Sequence, residues 1–204
     1  IEHIFIASTH DTMLFFSQMG KCFWLPVYQI PEGTRTSKGR AIQNMISLPP
    51  DDKIMAYIDI HDLEDEAFIN EHYLVFCTKK GTIKKTTVEA FSRPRANGIV
   101  AINIAEGDEL LAVRLTNGNC EVMMAVKSGR AIRFPEEKVR PMGRTATGVI
   151  GIELADDQDE VVGMITVEKG DKEKTVLVVS ENGYGKRSQL VDQETGEQEY
   201  RITN

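Results

Sequence analysis

The sequence predicts an all-β domain built from repeats and arranged like a propeller. Three observations predict it: a glycine turn that recurs four times, a second glycine and an acidic turn that follow it, and short alternating strands with no long amphipathic helix between them.

The first signal is a short apolar run that ends in a polar turn and Gly. It stands at residues 14–21 (LFFSQMGK), 74–81 (LVFCTKKG), 122–130 (VMMAVKSGR) and 176–183 (VLVVSENG). The turn glycines are Gly20, Gly81, Gly129 and Gly183, at intervals of 61, 48 and 54 residues. Tight connections between twisted strands need positive φ, which Gly supplies without steric cost; Asn182-Gly183 is the strongest turn dipeptide of the four. The second signal is a polar, often basic loop, then Gly, then an alternating strand: 38–42 (KGRAI), 97–102 (NGIVAI) and 147–152 (TGVIGI). The third is an acidic turn leading into a strand: 51–54 (DDKI), 107–111 (GDELL) and 156–162 (DDQDEVV), with residues 2–6 as an earlier member.

The unit is therefore about 50 residues with roughly four strands, the pattern of a propeller-like disc whose blades bury apolar faces against one another. The repeats fall at 1–48, 49–104, 105–154 and 155–204, within one domain spanning 1–204. Segment 61–67 (HDLEDEA) is an insertion that lengthens the hairpin between the first and second units. Pro49, Pro50, Pro94, Pro135 and Pro141 sit between strands, where a missing N–H does no harm. The last unit lacks its basic Gly strand, so the chain is expected to stop within a blade and, from its first residues, to come from the middle of a longer protein.

Composition is that of a globular chain: 41% hydrophobic and 27% charged residues. The longest apolar runs fall far short of the roughly 20 residues of a membrane helix, and the start does not read as a signal peptide. Cys22, Cys77 and Cys120 are widely spaced and odd in number, which argues against a disulfide scaffold or zinc site. They are expected as half-buried strand residues in a reducing cytoplasm. Phe15, Phe16, Phe23 and Trp24 are expected in the core, and the five tyrosines in strands or turns.

The net charge of −7 argues against nucleic-acid binding if taken alone. Its distribution says otherwise, because screening over about 10 Å makes phosphates feel local charge. Residues 78–98 hold six bases and one acid, and residues 126–145 hold six bases and two acids. Residues 50–72 hold one base and eight acids. Like charges recur at like places in the repeat, which predicts a basic rim and an acidic face or hub. Such a rim neutralises phosphates without reading bases and favours bent DNA. The expected phosphate contacts are Arg35, Lys38, Arg40, Lys84, Lys85, Arg93, Arg95, Arg130, Arg133, Arg140, Arg144, Lys186 and Arg187.

Residues 29–42 (QIPEGTRTSKGRAI) resemble the first-blade region of the C-terminal domain of the DNA gyrase A subunit, and 15–21, 78–86 and 140–149 (RPMGRTATGV) resemble the same family. The similarity runs through essentially the whole chain. It implies a hairpin-invaded β-propeller, or β-pinwheel, in which a strand of each unit completes a neighbouring blade. It also implies a non-catalytic module that wraps double-stranded DNA round its rim within a bacterial, cytoplasmic, nucleoid-associated A2B2 holoenzyme. The partners would be the gyrase B subunit together with the rest of the gyrase A subunit, with ATP and Mg in the holoenzyme, no cofactor in this segment and no membrane. The tyrosine that cleaves DNA in the family belongs to a region this chain does not contain. The family's Gln-Arg-Arg-Gly-Gly-Arg-Gly-type box does not occur here, and about four units stand where the family domain has six. A fragment is expected on both counts. The alternatives are a propeller-type protein-interaction module and the corresponding domain of topoisomerase IV.

Other chemistry is not spelled out. Gly185-Lys186-Arg187 fails as a nucleotide loop, with Ser180 in place of the first Gly and Arg187 in place of Ser/Thr; Gly183-Tyr184-Gly185 fails as a dinucleotide fingerprint at Ser188. His61, Asp62, Glu64, Asp65 and Glu66 could hold a cation weakly, but an acidic hairpin tip is the better reading.

Overall fold

The structure is a computed structural model, and it describes residues 4–191 and Tyr200. Strands form wherever the repeat places short apolar runs. β1 (Thr12–Ser17) and β2 (Lys21–Pro26) make the first hairpin, and β3 (Ile54–Ile60) pairs with the far side of β1. β4 (Tyr73–Thr78), β5 (Thr82–Thr87), the short β6 (Ile99–Val100) and β7 (Leu110–Thr116) follow. Next come β8 (Cys120–Val126), β9 (Ala131–Pro135), the short β10 (Val149–Ile150) and β11 (Val161–Glu168), then the hairpin β12 (Thr175–Val179) and β13 (Gly185–Gln189).

These strands form small antiparallel sheets ordered β3-β1-β2-β6, β10-β5-β4-β7, β11-β8-β9 and β12-β13. The order is out of step with the chain. β6 follows the second hairpin yet completes the first sheet, pairing Lys21 with Val100 and Cys22 with Ile99. β10 follows the third hairpin yet completes the second sheet, pairing Thr82 with Ile150 and Ile83 with Val149. The second and third units thus each lend a strand to the one before, as the resemblance implies. At the opposite edge β3 packs against β7 and β7 against β11, which makes these the inner strands and β6 and β10 the outer ones.

The glycines fit this exchange. In the second hairpin Gly81 has φ +87°, its N–H donates to the Thr78 carbonyl, and its own carbonyl accepts from Gly151 and Ile152 at 2.8 and 3.3 Å. A Cβ on Gly81 would lie 2.5 Å from the Ile152 carbonyl. Gly148, at the head of β10, would put a Cβ 2.5 Å from the Ile83 carbonyl. Two glycines therefore close the same joint from both sides. Gly20 meets Ile102 in the same way at the first joint.

The acidic turns are built into the fold. Asp52 accepts from Met19 N–H and Lys53 N–H, Asp108 from Lys80 N–H and Glu109 N–H, and Asp159 from Ser128 N–H and Glu160 N–H, all between 2.8 and 3.1 Å. Each aspartate ties its own hairpin turn to the start of its inner strand. Burial works against the Asp159 carboxylate, but the bonds from Ala155, Ser128 and Glu160 outweigh it and bring the carboxyl down to about 2.

Two details differ from expectation. The 61–67 insertion leads into a short helix, α1 (Glu66–Glu71), capped by Asp65, which accepts from Ala67 and Phe68 N–H at 3.1 Å. The cysteines are buried rather than half-buried: Cys22 and Cys77 lie completely inside blade cores, and Cys120 is 8% exposed. Phe15, Phe16, Phe23 and Trp24 lie in the core as expected. Residues 2 and 3 of the earliest acidic-turn segment lie outside the described residues, and residues 4–6 form no strand.

Candidate nucleic-acid interface

In the first three units the second strand of the hairpin runs into a loop that leads towards the next glycine. Those loops carry most of the expected contacts. Residues 31–41 bear Arg35, Lys38 and Arg40 against Glu32, residues 92–98 bear Arg93 and Arg95 with no acid, and residues 140–147 bear Arg140 and Arg144 with no acid. The net charge of this loop is therefore +2 in each of three successive units. Every one of these basic residues is exposed except Arg144, which is half-buried. Among the described residues none of them forms an ion pair. The second and third loops lead directly into β6 and β10, the outer strands, so unneutralised positive charge lines the outer edge.

The other expected contacts divide. Arg130, Lys186 and Arg187 are exposed on hairpin turns or strands, and Arg130 lies 3.8 Å from Asp159. Lys84, Lys85 and Arg133 do not face solvent, and here the expectation is corrected. All three sit inside β5 and β9 with at most 4% of their surface exposed.

Lys85 and Arg133 occupy the fourth position after their turn glycine, as Trp24 does in the first unit. All three reach across to a backbone carbonyl of the following unit. Trp24 Nε1 donates to Phe91 O at 2.9 Å, Lys85 Nζ to Glu136 O at 3.1 Å, and Arg133 Nη1 to Leu190 O at 3.4 Å. The cations find carboxylates as well: Lys85 Nζ lies 3.6 Å from Glu136 Oε2, and Arg133 is paired with Glu121. Glu136 in turn accepts from Thr116 Oγ1 at 2.7 Å and Cys120 N at 2.8 Å. These are latches between blades. Apart from the alignment with Trp24, nothing in the sequence pointed to burial, because Lys84-Lys85 reads as two solvated strand charges.

Lys84 faces the other side of β5. Its ammonium donates to the Ala101 carbonyl at 2.5 Å and to the Arg144 carbonyl, and lies 5.5 Å from the Phe76 ring centre. Burial, with the Arg144 charge adding to it, pulls its pKa down to about 8. The structure thus brings Lys84 and the 140–147 loop together, whereas the 31–41 loop has no described hydrogen bond to either of the other two.

Bases at the hairpin turns are largely neutralised. Lys79 pairs with Glu109 at 2.9 Å and Lys127 with Glu160 at 3.9 Å. Together with Asp156 and Asp157 they line an open groove of about 670 Å³ on the turn side, where the signs are mixed. The acidic tip at 61–66 offers no cation site: His61 Nδ1 instead pairs with Asp11 at 2.8 Å, and no group of three or more His, Cys, Asp or Glu among the described residues could hold a metal.

Comparison with known proteins agrees with this architecture. The family model described as DNA gyrase C-terminal domain, beta-propeller, matches residues 11–56, 72–117, 121–168 and 174–192. The DNA gyrase A protein of Salmonella typhimurium is 45% identical over 188 residues, which is 92% of this chain and 20% of that protein. The DNA gyrase A protein of Staphylococcus epidermidis is 45% identical over 204 residues, 100% of this chain and 21% of its own length. The chain thus spans about a fifth of the curated relatives it matches. A crystal structure of the C-terminal domain of DNA topoisomerase IV superposes with a TM-score of 0.78 at 27% identity, over 95% of this chain and 57% of that one. A DNA gyrase A C-terminal domain superposes with a TM-score of 0.70 at 28% identity, over 89% and 55%.

Proposed function

This chain belongs to the DNA gyrase C-terminal domain family, and on that basis we propose that it binds and wraps double-stranded DNA without catalysing a reaction itself. The observation that carries the reading is the recurrence of unpaired positive charge in the same loop of three successive units. Phosphates spaced along a duplex can meet such an array one unit after another, and a curved array rewards a bent duplex. The contacting residues are Arg35, Lys38, Arg40, Arg93, Arg95, Arg140 and Arg144, with Arg130, Lys186 and Arg187 at the hairpins. Lys84, Lys85 and Arg133 support the scaffold instead.

The larger setting follows from the relatives. This segment would serve a cytoplasmic, ATP-dependent bacterial type II topoisomerase, presenting bent DNA to a complex of gyrase A and gyrase B proteins that introduces negative supercoils. Relatives at 45% identity are gyrase A proteins, which favours gyrase over topoisomerase IV, although the fold superposes well on both.

A salt series tests the binding. Seven loop contacts give a slope of log affinity against log salt of about −6. A slope near zero would remove the phosphate mechanism. A topology assay tests the wrapping: closed circular DNA relaxed in the presence of the chain should change linking number. Unchanged linking number with retained binding would leave a DNA-binding rim but no wrap.

A further inference from the structure

Lys84 stands out because its charge is spent inside the protein while the residues it holds are on the rim. The segment it touches runs along the outer edge of β5. Met142 N–H donates to the Lys85 carbonyl at 2.7 Å, and Pro141 bridges to Lys85 in parallel. Lys84 Nζ reaches the Arg144 carbonyl two residues on, and the Ala101 carbonyl just after β6. Asn103 completes the joint: its side chain donates to the Thr145 carbonyl at 2.5 Å and its N–H to the Ala146 carbonyl at 3.3 Å. The backbone that carries Arg140 and Arg144 is therefore pinned to the unit before it at four places. Three of them are carbonyls that a rim loop would otherwise leave to water.

We propose that Lys84 is a positioning residue of the DNA-binding rim: with Asn103 it fixes the 140–147 loop to the preceding unit, so that Arg140 and Arg144 are presented at a set spacing from Arg93 and Arg95. The inference rests on the DNA reading above. A lysine suits the task because an ammonium has three donors and no acceptor, and can hold two carbonyls from different units at once. The arrangement also explains why a cation is kept in a blade interior, where an apolar residue of like size would pack without the cost of desolvation. Pre-setting the loop lowers the ordering cost when DNA arrives.

The test uses the full chain with Lys84→Met and, because that residue is buried, also Asn103→Ala, whose side chain is exposed. Amide exchange without DNA comes first. Both variants should speed exchange at Met142 and Ala146 by about tenfold or more while leaving Ile30 in the first unit unchanged. Unchanged exchange at Met142 and Ala146 would overturn the brace whatever DNA does. DNA affinity then decides the purpose. Arg144→Ala should weaken binding several-fold in the native background but much less when combined with Lys84→Met or Asn103→Ala, because the loop is already displaced. Arg35→Ala should weaken binding equally in all backgrounds. Additive effects of Lys84 and Arg144 would show a merely structural lysine and overturn the proposal. If the unaltered chain bound no DNA, the rim reading would fall and the positioning role with it, while exchange would still decide whether Lys84 holds the loop.

Discussion

Replacing Glu136 with alanine should be among the most damaging single changes in the domain, and its size can be worked from the contacts. The side chain is 1% exposed and Lys85 is 4% exposed, so water does not screen the pair. Alanine strands three donors together: the Lys85 ammonium loses its carboxylate at 3.6 Å, and Thr116 Oγ1 and Cys120 N lose acceptors at 2.7 and 2.8 Å. Removing one partner of a buried ion pair costs about 3–5 kcal/mol, and each orphaned neutral donor about 1–3 kcal/mol. The orphans relax together, so the total is roughly 5 kcal/mol rather than the full sum. At about 2–4 °C per kcal/mol this lowers the melting temperature by on the order of 10–20 °C.

Chemical denaturation followed by tryptophan fluorescence is the assay, because Trp24 is the only tryptophan and is buried in the first sheet. Glu136→Gln keeps an acceptor for Cys120 and should lose only about 2 kcal/mol. Lys85→Met in the Glu136→Ala background removes the stranded charge and should regain a large part of the loss. A Glu136→Ala cost below about 1 kcal/mol, or no recovery from Lys85→Met, would refute the latch.

Gly81→Ala should destabilise the second joint by several kcal/mol, since its Cβ would sit 2.5 Å from a backbone carbonyl, whereas Gly129→Ala, with φ +88° but nothing within 4 Å, should cost only about 1 kcal/mol; equal losses in a denaturant titration would count against the joint. Cys22 and Cys77 should resist a thiol reagent at pH 8 until the chain unfolds, because burial raises both thiols, Cys77 to about 12; rapid labelling of the native chain would contradict this. Asp159 titrates lower folded than unfolded, so its contribution is complete above the ordinary aspartate value of about 3.9 and is lost as pH falls towards about 2. Asp159→Asn should therefore flatten the acid limb of the stability curve between those values. His61 and Asp11 move oppositely, upwards and downwards, each because of the hydrogen bond to the other; an NMR titration of His61 should shift back towards about 6.5 in Asp11→Asn.

The strand pattern was legible because it depends on local chemistry. Gly20, Gly81, Gly129 and Gly183 all adopt the positive φ that the turn demands, and the apolar runs before them all become strands. The exchange of β6 and β10 was not legible from residue pattern, since nothing in a two-residue strand says which sheet it will join; the family resemblance supplied it. Helix α1 was missed because six residues carry too little periodicity, though Asp65 before Glu66 was a readable cap. The exposed loop bases were legible from composition. Lys84, Lys85 and Arg133 were not, because a charged residue on a strand looks the same in sequence whether its partner is water or the next blade's carbonyl. Only one hint existed: Lys85 and Arg133 align with Trp24, and a position that accepts tryptophan in one repeat is a core position in the others.

That alignment also accounts for how an acidic chain can present a basic rim. The latch position changes its chemistry from unit to unit, and the neighbour changes with it. Beside Trp24 the following unit offers Val88 and Phe91, both fully buried in the same core cluster. Seven residues after the turn glycine, where the second unit has Val88, the third has Glu136 facing Lys85. A cation inside a blade thus brings a carboxylate inside with it, and Arg133 does the same through Glu121. Asp52, Asp108 and Asp159 are likewise consumed in the turns. Part of the negative charge counted in the sequence is therefore internal or already partnered. The loop arginines, which have no such partners, dominate the outer edge. Net charge sums over all of these groups, whereas a phosphate within a screening length of the rim meets only the last.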